Sequence, residues 1–145
     1  MNKESSPRQD AVQQASEYFG NGQYCSQAVC GAFCEKYGLD RETAFKLSCG
    51  LNSGARSADI CGAVLGAILV IGLKHGDTKE KCNQETEEFL RRFQEKYGDI
   101  ICRNLLGCDI STPDGAAKAV EANLFPTRCM DLVIGAAQIL HDSGY

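Results

Sequence analysis

Apolar residues recur at intervals of three and four along almost the whole chain, and no stretch alternates apolar and polar positions long enough to make a strand. The pattern predicts an all-α fold, a single compact bundle of about six or seven helices. A first helix is expected over residues 8–19, stopped by Gly20-Asn21-Gly22, where glycine supplies the left-handed C-terminal cap. A second is expected over residues 23–37, ending at Gly38, and a third over Arg41 to about Ser48, with Asp40 placed to accept from a free backbone N–H at its start. Residues 49–59, CGLNSGARSAD, are rich in glycine and small polar side chains. They are expected to form no regular helix and to approach a ligand closely, which makes Gly50, Gly54 and Arg56 candidate cofactor contacts, with Gly62 just beyond.

Asp59 is expected to cap the next helix, residues 60–75, which is apolar on every side and carries Gly62-Ala63 and Gly66-Ala67 four residues apart. Small residues at that spacing let another backbone come close, so this helix is placed at the centre of the bundle; the same stripe would also serve a homodimer. Residues 79–97 are amphipathic, with Cys82, Phe89, Leu90, Phe93 and Tyr97 on one side and Glu87-Arg91 and Glu88-Arg92 pairs on the other. A short helix over residues 102–106, one over 113–123 opened by Pro113, and a last one over 126–142 opened by Pro126 complete the reading.

With 145 residues, 43% of them apolar, the chain has material for one core and one domain, residues 1–145, with 1–7 a frayed tail. The net charge of −4 and the lack of any Lys/Arg cluster argue against nucleic acid or an anionic membrane surface as partner. The longest uncharged apolar run, residues 60–73, falls short of the roughly 18 residues a membrane-spanning helix needs. No apolar segment follows Lys3 as an export signal would require, so a cytoplasmic location is expected.

That location changes the meaning of nine cysteines, an odd number. Cytosolic thiols are kept reduced, so metal binding or redox chemistry explains them better than a disulfide framework. Cys25, Cys61, Cys102 and Cys129 each fall near the first turn of an expected helix, where the helix dipole and free N–H groups would favour a thiolate. Cys30 and Cys34 share a helix face and read as core, as does Cys82, whereas Cys49 and Cys108 lie where they could join a cysteine site. No CxxC or CxxCH occurs, which removes the thioredoxin-type dithiol and covalent haem, and any metal site must be assembled from distant segments. With only His75 and His141, histidine ligation is poorly supported, and a cysteine set favours iron–sulfur, zinc or copper(I).

The segments YCSQAV around Cys25, CGAVLGAILVIGLKHG from Cys61, ICRNLLG around Cys102 and RCMDLV around Cys129 resemble the redox-active family named for its C_GCAxxG_C_C cysteine pattern, over residues 15–140. The same four cysteines are that family's signature set. The chain also looks similar to the part of split-Soret cytochromes outside their haem-attachment region. The resemblance implies electron transfer through a cluster held by cysteines, without haem, since the haem motif is lacking. The loop before Cys61 is less glycine-rich than the resemblance leads one to expect.

Three readings stay open at this point. Cys25, Cys61, Cys102 and Cys129 could hold a metal, iron–sulfur or zinc, for electron transfer to a redox partner protein or for redox sensing. Without a cofactor, Cys61 and Cys129 could run thiol–disulfide exchange, Cys61 attacking as the thiolate. Or the cysteines only pack, in a helical interaction module. Anion binding by the loop through Arg56 is a further option.

Overall fold

A computed structural model describes residues 7–145; apart from Pro7, the expected N-terminal tail lies outside the described residues. The described residues form eight α-helices: α1 Pro7–Gly20, α2 Cys25–Phe33, α3 Arg41–Ser48, α4 Gly62–His75, α5 Lys79–Tyr97, α6 Cys102–Leu106, α7 Pro113–Glu121 and α8 Met130–Asp142. The fold is all-α, and among the described residues the one extended pairing is an isolated antiparallel bridge between Ile60 and Ile101. Among the described residues no helix is long and apolar enough to cross a membrane.

The main core gathers α1, α2, α4, α5 and α8. Ala15, Val29, Val64, Ala67, Val70, Ile71, Phe93, Val133 and Leu140 are fully buried in it. Helix α4 packs on α2, α5 and α8, and its small residues explain how closely. A Cβ built on Gly66 would lie 2.5 Å from the Ser26 carbonyl oxygen, so α2 and α4 approach backbone to backbone there. The Gly62–Gly66 face is thus taken up within the chain, by α2. A second, smaller core of Ala58, Cys102, Leu106, Ile110 and Ala119 sits beside the first and is flanked by Cys108, Leu124, Phe125 and Cys129. Cys30 and Cys34, both buried, belong to a third cluster with Ala44, and Cys82 packs at the edge of the main core.

Several boundaries shift from the pattern for identifiable reasons. The expected helix 23–37 begins at Cys25, because the Gln27 side chain folds back to accept from the Tyr24 N–H at 2.8 Å, and it ends at Phe33. A 3₁₀ turn, Glu35–Tyr37, follows and closes at Gly38 in the left-handed region (φ 89°). The expected helix 126–142 opens instead with a wide turn, Phe125–Cys129, before α8 begins at Met130. Asp59 does not cap α4: that helix starts at Gly62, and the Asp59 carboxylate instead accepts from Arg103 at 2.7 Å, drawn to a charge partner distant in sequence.

Candidate functional site: four cysteines around one cavity

Each signature cysteine is fixed by its own piece of backbone. Cys25 is the first residue of α2, Cys61 immediately precedes α4, Cys102 opens α6 and Cys129 immediately precedes α8. Two of them are stapled together by the Ile60–Ile101 bridge. The Cys61 N–H donates to the Ile100 carbonyl at 2.8 Å and the Cys102 N–H to the Asp59 carbonyl at 2.6 Å. Arg103 reinforces the staple by donating to the Ala58 carbonyl at 3.0 Å and to Asp59. Cys25 is brought in by Gly62, where a Cβ would collide with the Cys25 Sγ and stand 3.1 Å from the Leu51 carbonyl. Only glycine lets α4 start against that sulfur. Cys129 is set by its N–H donating to the Leu124 carbonyl at 2.9 Å, which closes the wide turn ahead of α8.

All four cysteines line a single cavity of about 220 Å³. Its walls are largely apolar, with Phe19, Tyr24, Leu106, Ile110 and Phe125 among them, and its polar lining comes from Asn52, Ser53 and Arg56. Gly62 also lines it. Of the other loop residues expected at the site, Gly50 is exposed with open space where its Cβ would be, and Gly54 is buried against the backbone of Asp59 rather than in the cavity. Cys49, Cys30, Cys34 and Cys82 do not line it. Cys108 lies close enough that its charge acts on Cys102.

The segment between Leu51 and Cys61 is unusual. Ser53, Gly54, Ala55 and Arg56 all have left-handed dihedrals, with φ between 54° and 66°, and Ala58 follows at φ 54°. For L-residues this conformation costs roughly 1–2 kcal/mol each, and such strain persists only where surrounding contacts hold it. Here the side chain of Asn52, itself buried, donates to the Cys49 carbonyl at 2.8 Å while its Oδ1 accepts from Arg56 at 3.0 Å.

Burial dominates the electrostatics of the four thiols. Burial raises the Cys25 thiol, although the N–H groups of Ser53, Ser26, Cys25 itself and Ala63 all oppose it by pointing at its sulfur. Burial, followed by the charge of Cys25, pushes Cys61 up to about 12 against the N–H groups of Ala63 and Val64. Cys102 rises to about 11 from burial and then from Cys25 and Cys108, with Arg103 opposing. Cys129 is raised by burial and then by Cys25, Cys61 and Cys102 in turn. Helix N-termini do reach these sulfurs, but desolvation in an apolar pocket outweighs them. Burial therefore favours the protonated thiol at Cys61 and opposes the thiolate that exchange would use. Cys61, Cys102 and Cys129 are each raised by the charge of Cys25, so ionising one sulfur disfavours ionising the others.

Among the described residues, no three of His, Cys, Asp or Glu are gathered tightly enough to hold a single metal ion. A tetrahedral Zn–S site, at about 2.3 Å per bond, needs its sulfurs about 3.8 Å apart. The donors here are arrayed around a cavity instead. The aromatic walls were not singled out by sequence reasoning; the available signal was that Phe19, Tyr24 and Phe125 sit close in sequence to signature cysteines or to helix ends. No curated protein and no solved structure matches the chain. Residues 23–143, most of the chain, match the family model described as "Putative redox-active protein (C_GCAxxG_C_C)", and the chain belongs to that family.

Proposed function

We propose that Cys25, Cys61, Cys102 and Cys129 together hold an iron–sulfur cluster and that the protein carries electrons, or senses redox state, through it. The observation that carries this reading is the convergence of four buried thiols on one cavity, each delivered by a different segment of the chain. Four soft donors without a histidine or carboxylate among them suit iron–sulfur chemistry, and a cluster spreads its ligand sulfurs over separate irons, unlike a single zinc ion. Bound at this site, such a cluster would supply reversible one-electron transfer.

The chain's own residues would do the rest. Four protons sit on sulfurs that repel one another once ionised, and a cationic group replacing those protons relieves both burial and repulsion. The backbone N–H groups of Ser53 and Ala63 near Cys25, and of Ala63 and Val64 near Cys61, favour negative charge on these sulfurs and so would raise the potential. Phe19, Phe125 and Leu132 line the cavity and keep bulk water from it. Arg103 and Arg128 offset negative charge near Cys102 and Cys129.

The reading is tested by reconstituting the reduced protein with iron and sulfide under anaerobic conditions and following visible charge-transfer absorption, its bleaching by a strong reductant and its recovery on reoxidation. Serine at any one of the four positions should abolish or strongly lower stable incorporation, whereas Cys30→Ser, Cys49→Ser and Cys82→Ser should load normally. Equal loading of all seven variants would overturn it.

A further inference from the structure

The loop spends backbone strain to hold one side chain at the mouth of the cavity. Arg56 ends the left-handed run, and its guanidinium donates only to neutral oxygens, Asn52 Oδ1 at 3.0 Å and Ser53 Oγ at 3.2 Å. Arg91, Arg92, Arg103 and Arg128 each hold a carboxylate, and Arg41, away from the cavity, donates to the Tyr18 hydroxyl at 2.9 Å. Arg56 pairs with none among the described residues, and no Asp, Glu, Lys or His joins it in the cavity lining. Among the side chains lining this cavity, Arg56 is the only Asp, Glu, Lys, Arg or His. A preformed apolar pocket with one oriented charge is the usual design of a small-molecule site.

We infer that the cavity, before any cofactor is loaded, binds a small organic carboxylate, its anionic end on Arg56 and its hydrocarbon body between Phe19, Tyr24, Leu106, Ile110 and Phe125, directed toward the four sulfurs. At about 220 Å³ the space lies between the roughly 150 Å³ that accommodates benzene and the roughly 300 Å³ at which drug-sized ligands begin. The body is accordingly the size of benzoate or hexanoate. Asn52 acts as a positioning residue: anchored on the Cys49 carbonyl, it presents its oxygen to Arg56 and orients the fork.

This assignment rests on the cavity being the working site of the proposed redox protein, but its test does not need a cofactor. Isothermal titration of metal-free, reduced protein with benzoate, hexanoate, benzyl alcohol, hexanol and acetate separates body from charge. Benzoate or hexanoate should bind saturably at one site, at least tenfold tighter than the matching alcohol, and acetate should not register. Arg56→Gln should bring the acid down to the level of the alcohol, while Arg91→Gln changes nothing and Arg56→Lys retains part of the preference. Equal affinity for acid and alcohol, insensitivity to Arg56→Gln, or no binding of any probe overturns the assignment. Iron and sulfide loading of Arg56→Gln is read in parallel. Loading without carboxylate binding refutes this inference alone, and binding without loading by the wild type refutes the cofactor reading alone.

Discussion

Replacing Ala55 by glycine removes only a solvent-facing methyl group, yet the backbone at that position makes the change favourable. Ala55 sits at φ 57°, ψ 38° and is exposed, so no packing is lost with its Cβ. An L-residue in the left-handed region costs roughly 1–2 kcal/mol that glycine does not. Against this, glycine loses about 0.5–1 kcal/mol more backbone entropy on folding than alanine. The balance is a gain of about 0.5–1 kcal/mol. The matched control is Ala117→Gly, on the exposed side of α7, where right-handed backbone makes the same substitution cost about 1 kcal/mol. Urea denaturation of the reduced, metal-free protein at pH 7 compares the two. Opposite signs are expected, and a loss of stability by Ala55→Gly equal to that of Ala117→Gly would refute the left-handed turn. Ala58, also left-handed but fully buried, should gain less from glycine, because its methyl group packs in the second core.

Gly62→Ala should prevent cofactor loading and lower stability by about 1–3 kcal/mol, since the new Cβ meets the Cys25 sulfur; Gly66→Ala, which meets the Ser26 carbonyl oxygen 2.5 Å away, should cost a similar amount in calorimetry. Ser26→Ala should cost about 1–3 kcal/mol in urea denaturation, because the buried Ser26 hydroxyl donates to the Ser48 carbonyl at 2.8 Å and its removal leaves that oxygen short of a partner. Metal-free protein should lose stability as pH rises. Cys61 and Cys102 keep their protons to about 12 and about 11 when folded, above the ordinary 9.0, so the folded state binds more protons once the unfolded thiols begin to ionise. Each such buried thiol should then lower the unfolding free energy by up to about 1.4 kcal/mol per pH unit above pH 9, until its folded-state value is passed. Urea midpoints that do not fall between pH 8 and pH 10, measured under reductant, would contradict the burial of these thiols.

Helix α3 is legible from its cap, because Asp40 acts within a few residues of the end it defines, and α5 from its amphipathic period; Gly98 and Gly107 close α5 and α6 in the left-handed region. The same local logic failed at Asp59, whose partner Arg103 comes from a segment the pattern cannot bring close. It also failed between Ser53 and Arg56, where alanine and arginine carry no preference for the left-handed backbone they adopt. Contacts within the loop hold it: Asn52 accepting from Arg56, and Gly54 lying against the Asp59 backbone. For the cysteines, helix-end placement singles out Cys25, Cys61, Cys102 and Cys129, which the fold brings to one cavity, but carries no account of their burial. The dipole argument is local, whereas desolvation depends on Phe19, Leu106, Ile110, Phe125 and Leu132, which only the fold assembles around them. That the four share a cavity follows from the Ile60–Ile101 staple and from the close approach at Gly62, neither of which leaves a spacing signal.

The most direct test of the central claim is the iron and acid-labile sulfide content of wild-type protein isolated without oxygen from cells able to build clusters. Stoichiometric iron with matching sulfide, and four fewer titratable thiols than the nine in the sequence, is the predicted result. Protein free of iron and sulfide, with all nine thiols titrating, would contradict it.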